Sequence, residues 1–151
     1  YGNFGQSNYG AAKAAMVGFM NVLHHEGVKN NIRVNTLAPT AATRMLEGLI
    51  PPQVADLMAP ELVTPGVLYL VSEDAPSKTI LGAGAGCFSV VHIYETPAVF
   101  VGGASATVDD VAANWARISN PVNEQPIDAA FAQTNKFVAA AAEALGVKLG
   151  G

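Results

Sequence analysis

The first long run of small and apolar residues, AAKAAMVGFMNVLHHEG at 11–27, has strong helix propensity, and Ser7 or Asn8 ahead of it can cap a helix. It predicts a helix from about Tyr9 to about Val28, closed by Gly27. IRVNTLAP at 32–39 is a short β-rich run stopped by Pro39, as expected of a buried strand that ends in a loop. From Thr40 to Pro60, three prolines surround the amphipathic QVADLM, which predicts a loop with one or two small helices. TPGVLYLVS at 64–72 carries Pro65 near a helix start and apolar residues after it, a short helix. GAGAGCFSVVHIYETPAVFVGG at 82–103 alternates and runs apolar, suiting one or two strands with a bend at Pro97.

The last third changes character. Thr107 followed by Asp110 resembles a capping box at the start of VDDVAANWARIS, with Asp in place of the usual Glu or Gln. Pro126 opens IDAAFAQTNKFVAAAAEALG, where Phe131, Val138, Ala142 and Leu145 share a helix face and Gly146 offers the stop. No internal repeat occurs. Two or three strands are too few for a parallel sheet covered on both faces, so the pattern is that of the second half of a larger α/β sheet.

Composition narrows the function classes. With 50% hydrophobic and 13% charged residues in 151, a buried globular core is expected. The net charge of -4 lacks the basic excess that binds phosphate backbones, which argues against nucleic acid as a partner. Cys87 is the only cysteine, so no intrachain disulfide and no Cys/His zinc spacing can be written, and no metal site is expected. A reducing, cytoplasmic setting fits. No membrane partner is expected either, since the apolar stretches are broken well short of a span and no signal-peptide pattern is present. The chain starts at Tyr1 without an initiator Met, as a piece of something longer would.

The chemistry-bearing pair is Tyr9 and Lys13, four residues apart and therefore on one face of the first helix. It is either ordinary helix surface or an acid/base device. The other reactive residue types have plainer readings. His24 and His25 sit in a helix's last turn, where the dipole suits them, and His92 reads as a core or interface residue. Asp109 and Asp110 serve a helix N-terminus, Cys87 is a small core residue, and Trp115 is a packing anchor for the tail helices.

NYGAAK at 8–13 resembles the Tyr-x-x-x-Lys signature of the short-chain dehydrogenase/reductase family, and NTLAPTAATRM at 35–45 resembles that family's loop after the next strand. KNNIRVNTLAPTAATRM, APELVTPGVLYLVSE, LGAGAGCF and VDDVAANWARISN further resemble the (3R)-hydroxyacyl-CoA dehydrogenase unit of peroxisomal-type multifunctional β-oxidation enzymes and their bacterial relatives. A lone YxxxK is weak; five matched segments in order are strong. The resemblance implies an α/β fold, the carboxyl half of a Rossmann-like doubly wound parallel sheet with a short helical tail. It divides the chain into a partial dehydrogenase domain at 1–104 and a helical extension at 105–151.

The resemblance also implies a mechanism. Tyr9 would exchange a proton with the substrate oxygen while hydride moves to or from the nicotinamide of NAD or NADP. Free phenols titrate near pH ~10, and a cation such as Lys13 on the same face favours the phenolate. Lys13 would also hold the nicotinamide ribose, with Tyr9 beside it. Pro39, Thr40 and Ala41 would lie against the carboxamide, and Thr43 would reach it or the pyrophosphate. Thr40 stands where the general family motif has Gly. The implied substrate is an acyl-CoA or another small carbonyl or hydroxyl compound, and the implied partner is a second copy or an amino-terminal half. That half would bring the glycine-rich phosphate loop, since GAGAG at 82–86 lacks the strand before and the helix after that such a loop needs. Two other classes stay open: a binding or assembly module that kept the fold without the chemistry, and a hydrolase reusing Tyr9 and Lys13 with Ser7 as nucleophile.

Overall fold

The computed structural model describes residues 1–44, 48 and 50–150. Met45, the last residue of the loop motif, lies outside them. The chain divides into two compact units, Tyr1–Val91 and His92–Gly151.

In the first unit, α1 (Ser7–Gly27) begins two residues before the expected Tyr9, with Gln6 as its cap residue and no side-chain capping bond. Asn8 serves its neighbour instead, accepting the N–H of Tyr9 at 2.8 Å. After a short 3₁₀ turn at Val28–Asn30, Asn31 adopts a left-handed φ of 56°, and the chain reverses into β1 (Thr36–Thr40). The strand is shifted toward the carboxyl end relative to IRVNTLAP, and Pro39 lies within it. Both follow from hydrogen bonding. β1 is an edge of the three-stranded sheet, where a residue lacking an N–H costs no ladder bond on its open side. Arg33 and Asn35 meanwhile are committed to side-chain bonds with the segment 70–79.

Among the described residues three short helices follow: α2 (Pro52–Leu57), a 3₁₀ turn at Pro60–Val63, and α3 (Thr64–Leu70), α2 and α3 each with proline in the first turn. They carry the chain back to β2 (Ile80–Gly84), which pairs parallel with β1 from Thr36↔Ile80 to Thr40↔Gly84. β3 (Cys87–Val91) returns antiparallel through a two-residue turn, Ala85 and Gly86, both with positive φ (52° and 72°). Such a turn matches the right-handed twist of the strands it joins. The sheet is therefore mixed, ordered β1-β2-β3. β2 alternates in burial, with Leu81 and Ala83 in the core beside Met20, Val63 and Ala75. α3 meets the sheet at Gly66, where a Cβ would stand 2.7 Å from the ring of Phe88.

The second unit opens with a two-stranded ribbon, β4 (Tyr94–Glu95) against β5 (Gln125–Pro126). Between them α4 (Val108–Ala113) has the expected capping box, Thr107 and Asp110 bonding each other's backbone N–H groups, and α5 (Trp115–Ile118) follows. α6 (Ala130–Leu145) ends at Gly146 with φ 66°, as expected. Its packed face agrees with the expected one at Ala142 alone, which is buried. Phe131 is 80% exposed and Val138 and Leu145 are exposed, while Lys136, Ala140 and Ala141 turn inward. Trp115, expected to anchor the tail, is 61% exposed beside Val108, Val111 and Ala112, and Cys87 lies exposed at the hairpin rather than in the core.

Candidate functional site

Tyr9 and Lys13 occupy the first half of α1, and both are exposed. One helical turn brings the Lys13 Nζ to 5.4 Å from the centroid of the Tyr9 ring. The contact is cation to ring face, worth about 0.5–1 kcal/mol at an exposed site. Among the described residues no carboxylate or carbonyl bonds the Lys13 ammonium, and no donor or acceptor bonds the Tyr9 hydroxyl. Ser7 shares no hydrogen bond with either.

The far end of α1 is tied down. His24 Nδ1 lies 2.8 Å from Ser77 Oγ, which also accepts the N–H of Val34 at 3.0 Å. Ser77 and Val34 precede β2 and β1, so the last turn of α1 is fixed at the starting edge of the parallel pair. His24, expected from the sequence only to suit the helix dipole, is half-buried and engaged with Ser77. Tyr9 lies 15 residues earlier, roughly 22 Å along the axis at about 1.5 Å per residue, while a five-residue strand spans about 17 Å. The tie at His24 fixes the end of α1 opposite to the Tyr9–Lys13 turn.

Pro39 and Thr40 are the last residues of β1, both exposed, and Ala41 and Thr43 continue the chain outward. The exit loop is held by Ala42, whose N–H donates to the Met58 carbonyl at 2.7 Å. In open α/β sheets, ligands bind outside the carboxyl ends of the strands, the end where these residues collect.

Asn35 stiffens the lead-in: its side-chain NH₂ donates to the Pro76 carbonyl at 2.8 Å, and its Oδ1 accepts the N–H of Thr79 at 3.1 Å. Arg33 Nη1 donates to the carbonyls of Glu73 and Ala75. None of these partners was foreseen, because each joins residues some 40 apart with no local pattern to mark it. No group of three or more His, Cys, Asp or Glu that could hold a metal ion occurs among the described residues. None of the described helices is long and apolar enough to cross a membrane.

The chain is similar to several known proteins. The family profile described as short chain dehydrogenase matches residues 1–52. A protein of Mycobacterium tuberculosis described as of short-chain dehydrogenase/reductase type is 43% identical over 125 residues, covering 80% of this chain and 42% of the relative. The peroxisomal multifunctional enzyme A of Dictyostelium discoideum is 40% identical over 121 residues, 80% of this chain and 27% of that enzyme. The solved full-length peroxisomal multifunctional enzyme type 2 of Drosophila melanogaster superposes with a TM-score of 0.80 at 26% identity, over 96% of this chain and 27% of that one. The chain thus spans less than half the length of these relatives. With signature residues, fold and relatives in agreement, the chain belongs to the short-chain dehydrogenase/reductase family.

Proposed function

We propose that this chain carries the proton-transfer residues of an NAD(P)-dependent oxidoreductase that oxidises a 3-hydroxyacyl-CoA or reduces a related carbonyl compound. The observation that carries the reading is the Tyr9–Lys13 turn of α1, with exposed phenol and ammonium beside each other. An acetoacetyl-CoA reductase among the similar proteins, 44% identical over 82 residues, supports the choice of an acyl-CoA substrate.

The donor set suits the nicotinamide-ribose end of a dinucleotide. Lys13 offers up to three N–H donors to ribose hydroxyls, and the exit of β1 through Pro39, Thr40, Ala41 and Thr43 offers backbone groups for an amide. The pyrophosphate end finds no counterpart among the described residues, because the GAGAG run is a strand and hairpin turn and not a loop opening a helix. When bound, the nicotinamide supplies the acceptor or donor of hydride. Tyr9 takes the proton from the substrate hydroxyl as the carbonyl forms, or gives it back in reduction. Lys13 stabilises negative charge on the phenol oxygen while the proton is away.

The chain by itself is therefore expected to bind NAD or NADP weakly and to need a polypeptide that contributes the phosphate loop, or assembly with a second copy. Small residues of α1 support close helix contact in such an assembly: a Cβ at Gly10 or Gly18 would meet nothing within 4 Å, and Met16, Phe19 and Val22 are exposed nearby. The exposed single Cys87 suits a reducing compartment such as the cytoplasm. Calorimetric titration of NADH into the chain alone and into its mixture with an amino-terminal half tests the reading. Binding and 3-hydroxyacyl-CoA oxidation by the mixture are expected. Micromolar binding by the isolated chain, or none by the mixture, rejects it.

The assembly-module reading is favoured by the same open α1 surface. It predicts association with no NADH binding by any mixture.

A further inference from the structure

Each glycine of the run Gly82-Ala83-Gly84-Ala85-Gly86 answers to a different demand. Gly86 needs its backbone, being left-handed at φ 72° in the turn. Gly82 faces a side chain: a Cβ there would stand 2.9 Å from Ser89 Oγ, a hydroxyl that can rotate away. Gly84 has no left-handed φ, so conformation does not explain it. Space does. A Cβ at 84 would lie 2.8 Å from the carbonyl oxygen of Thr40 and 3.1 Å from its Cβ, inside the roughly 3.5–4.0 Å of ordinary van der Waals contact. The last residue of β1 thus occupies the place of the side chain that residue 84 lacks. The obstacle is backbone, which cannot swing aside as the Ser89 hydroxyl can.

We infer that Gly84 is a positioning residue for the segment leaving β1. With no side chain at 84, Thr40 leans onto the end of β2, and that lean sets the direction in which Ala41 and Ala42 depart to reach the Met58 carbonyl. The functional consequence rests on the reading of Pro39 to Thr43 as the nicotinamide-facing segment. A methyl group at 84 displaces Thr40, breaks the Ala42 bond and turns the loop away from the place where a carboxamide would be met.

Amide hydrogen exchange in the 151-residue chain tests the contact without any ligand. Gly84→Ala is expected to speed exchange at Ala42 at least about tenfold while the ladder amides of β2 and β3 stay protected. Gly82→Ala, the same added methyl facing a rotatable hydroxyl, is expected to leave Ala42 unchanged. Equal Ala42 protection in the wild type and in a folded Gly84→Ala variant overturns the inference. Should Gly84→Ala not fold, the double variant Thr40→Gly, Gly84→Ala, in which residue 40 can turn its carbonyl aside, is expected to fold. Failure of both, with Gly82→Ala folded, also overturns the inference, since the clash then lies elsewhere. In the mixture with an amino-terminal half, Gly84→Ala is expected to weaken NADH binding about tenfold. If the wild-type mixture binds no NADH while the exchange difference persists, the dehydrogenase reading falls and the contact stands.

Discussion

Two lysines of this chain each sit over an aromatic ring, Lys13 at 5.4 Å from the centroid of Tyr9 and Lys136 at 5.0 Å from that of Phe137, yet they have opposite fates. Lys136 is spent internally. Its Nζ donates to Glu95 Oε2 at 2.6 Å and to the Thr96 carbonyl at 3.1 Å, and its side chain is 11% exposed. The Lys136 hydrogen bond holds the Glu95 carboxyl below its ordinary 4.5, with the Gln133 amide assisting against the cost of desolvation. The ammonium fastens α6 to the ribbon and has little left to give. Lys13 keeps its donors in solvent. An ammonium has three N–H groups, and how many are satisfied inside the protein separates a structural lysine from one that can hold a ligand.

The largest expected effect breaks or confirms that division outright. In a complete enzyme, Tyr9→Phe should lower turnover by about 10²–10⁴ with little change in cofactor affinity, as loss of a general acid/base does. Lys13→Met should weaken both, and neither change should move the melting temperature. Steady-state kinetics beside NADH titration and thermal unfolding read all three quantities. If either substitution destabilised the fold as much as it slowed turnover, the pair would be structural like Lys136. Conversely, Lys136→Met should lower the melting temperature of the second unit and leave turnover alone, because it strands Glu95 and removes the link to Thr96.

Acid sharpens the same contrast. A carboxyl whose folded pKa lies below its ordinary value contributes stability that is fully present above about pH 4.5 and is lost as the pH falls through the lower folded value. Unfolding followed downward from about pH 6, above that window, should show this loss in the wild type, and Glu95→Gln should flatten it. Asp110, lowered by the hydroxyl and backbone N–H of Thr107, adds a similar loss below 3.8. A smaller cost belongs to Thr107→Ala, about 1 kcal/mol for a lost helix cap, measured by denaturant titration. The smallest effect has the opposite sign: Ala85→Gly should stabilise the first unit by about 0.5 kcal/mol, because alanine at φ 52° is strained.

What the sequence revealed follows the range of the forces involved. The Thr107–Asp110 box, the Gly146 stop, the long α1 and the Tyr9–Lys13 spacing are all decided within one or two helical turns, and each was legible. The His24–Ser77 bond, the Asn35 clamp and the Lys136–Glu95 pair join residues roughly 40 or more apart, where no local pattern announces them. The hairpin was blurred for another reason. Its turn uses Ala85 where Asn or Gly would signal a left-handed residue, so 82–103 read as strands of uncertain number. Cys87 and Trp115 were expected inside on residue type alone, and residue type does not say which side of an edge strand or short helix is covered.

The order of pairing in the sheet carries a consequence for how the molecule comes to be folded. The β2–β3 hairpin closes across two residues, an event of about 1–10 μs. The β1–β2 pair brings together Thr36 and Ile80, separated by 44 positions, so its loop-closure entropy must be met before any ladder bond repays it. The hairpin is therefore an early template, and β1 docks on it late. Gly84 lies on both sides of this schedule: it ends the strand that forms first and receives the residue that arrives last. A substitution there should act on the late docking step and leave hairpin closure untouched.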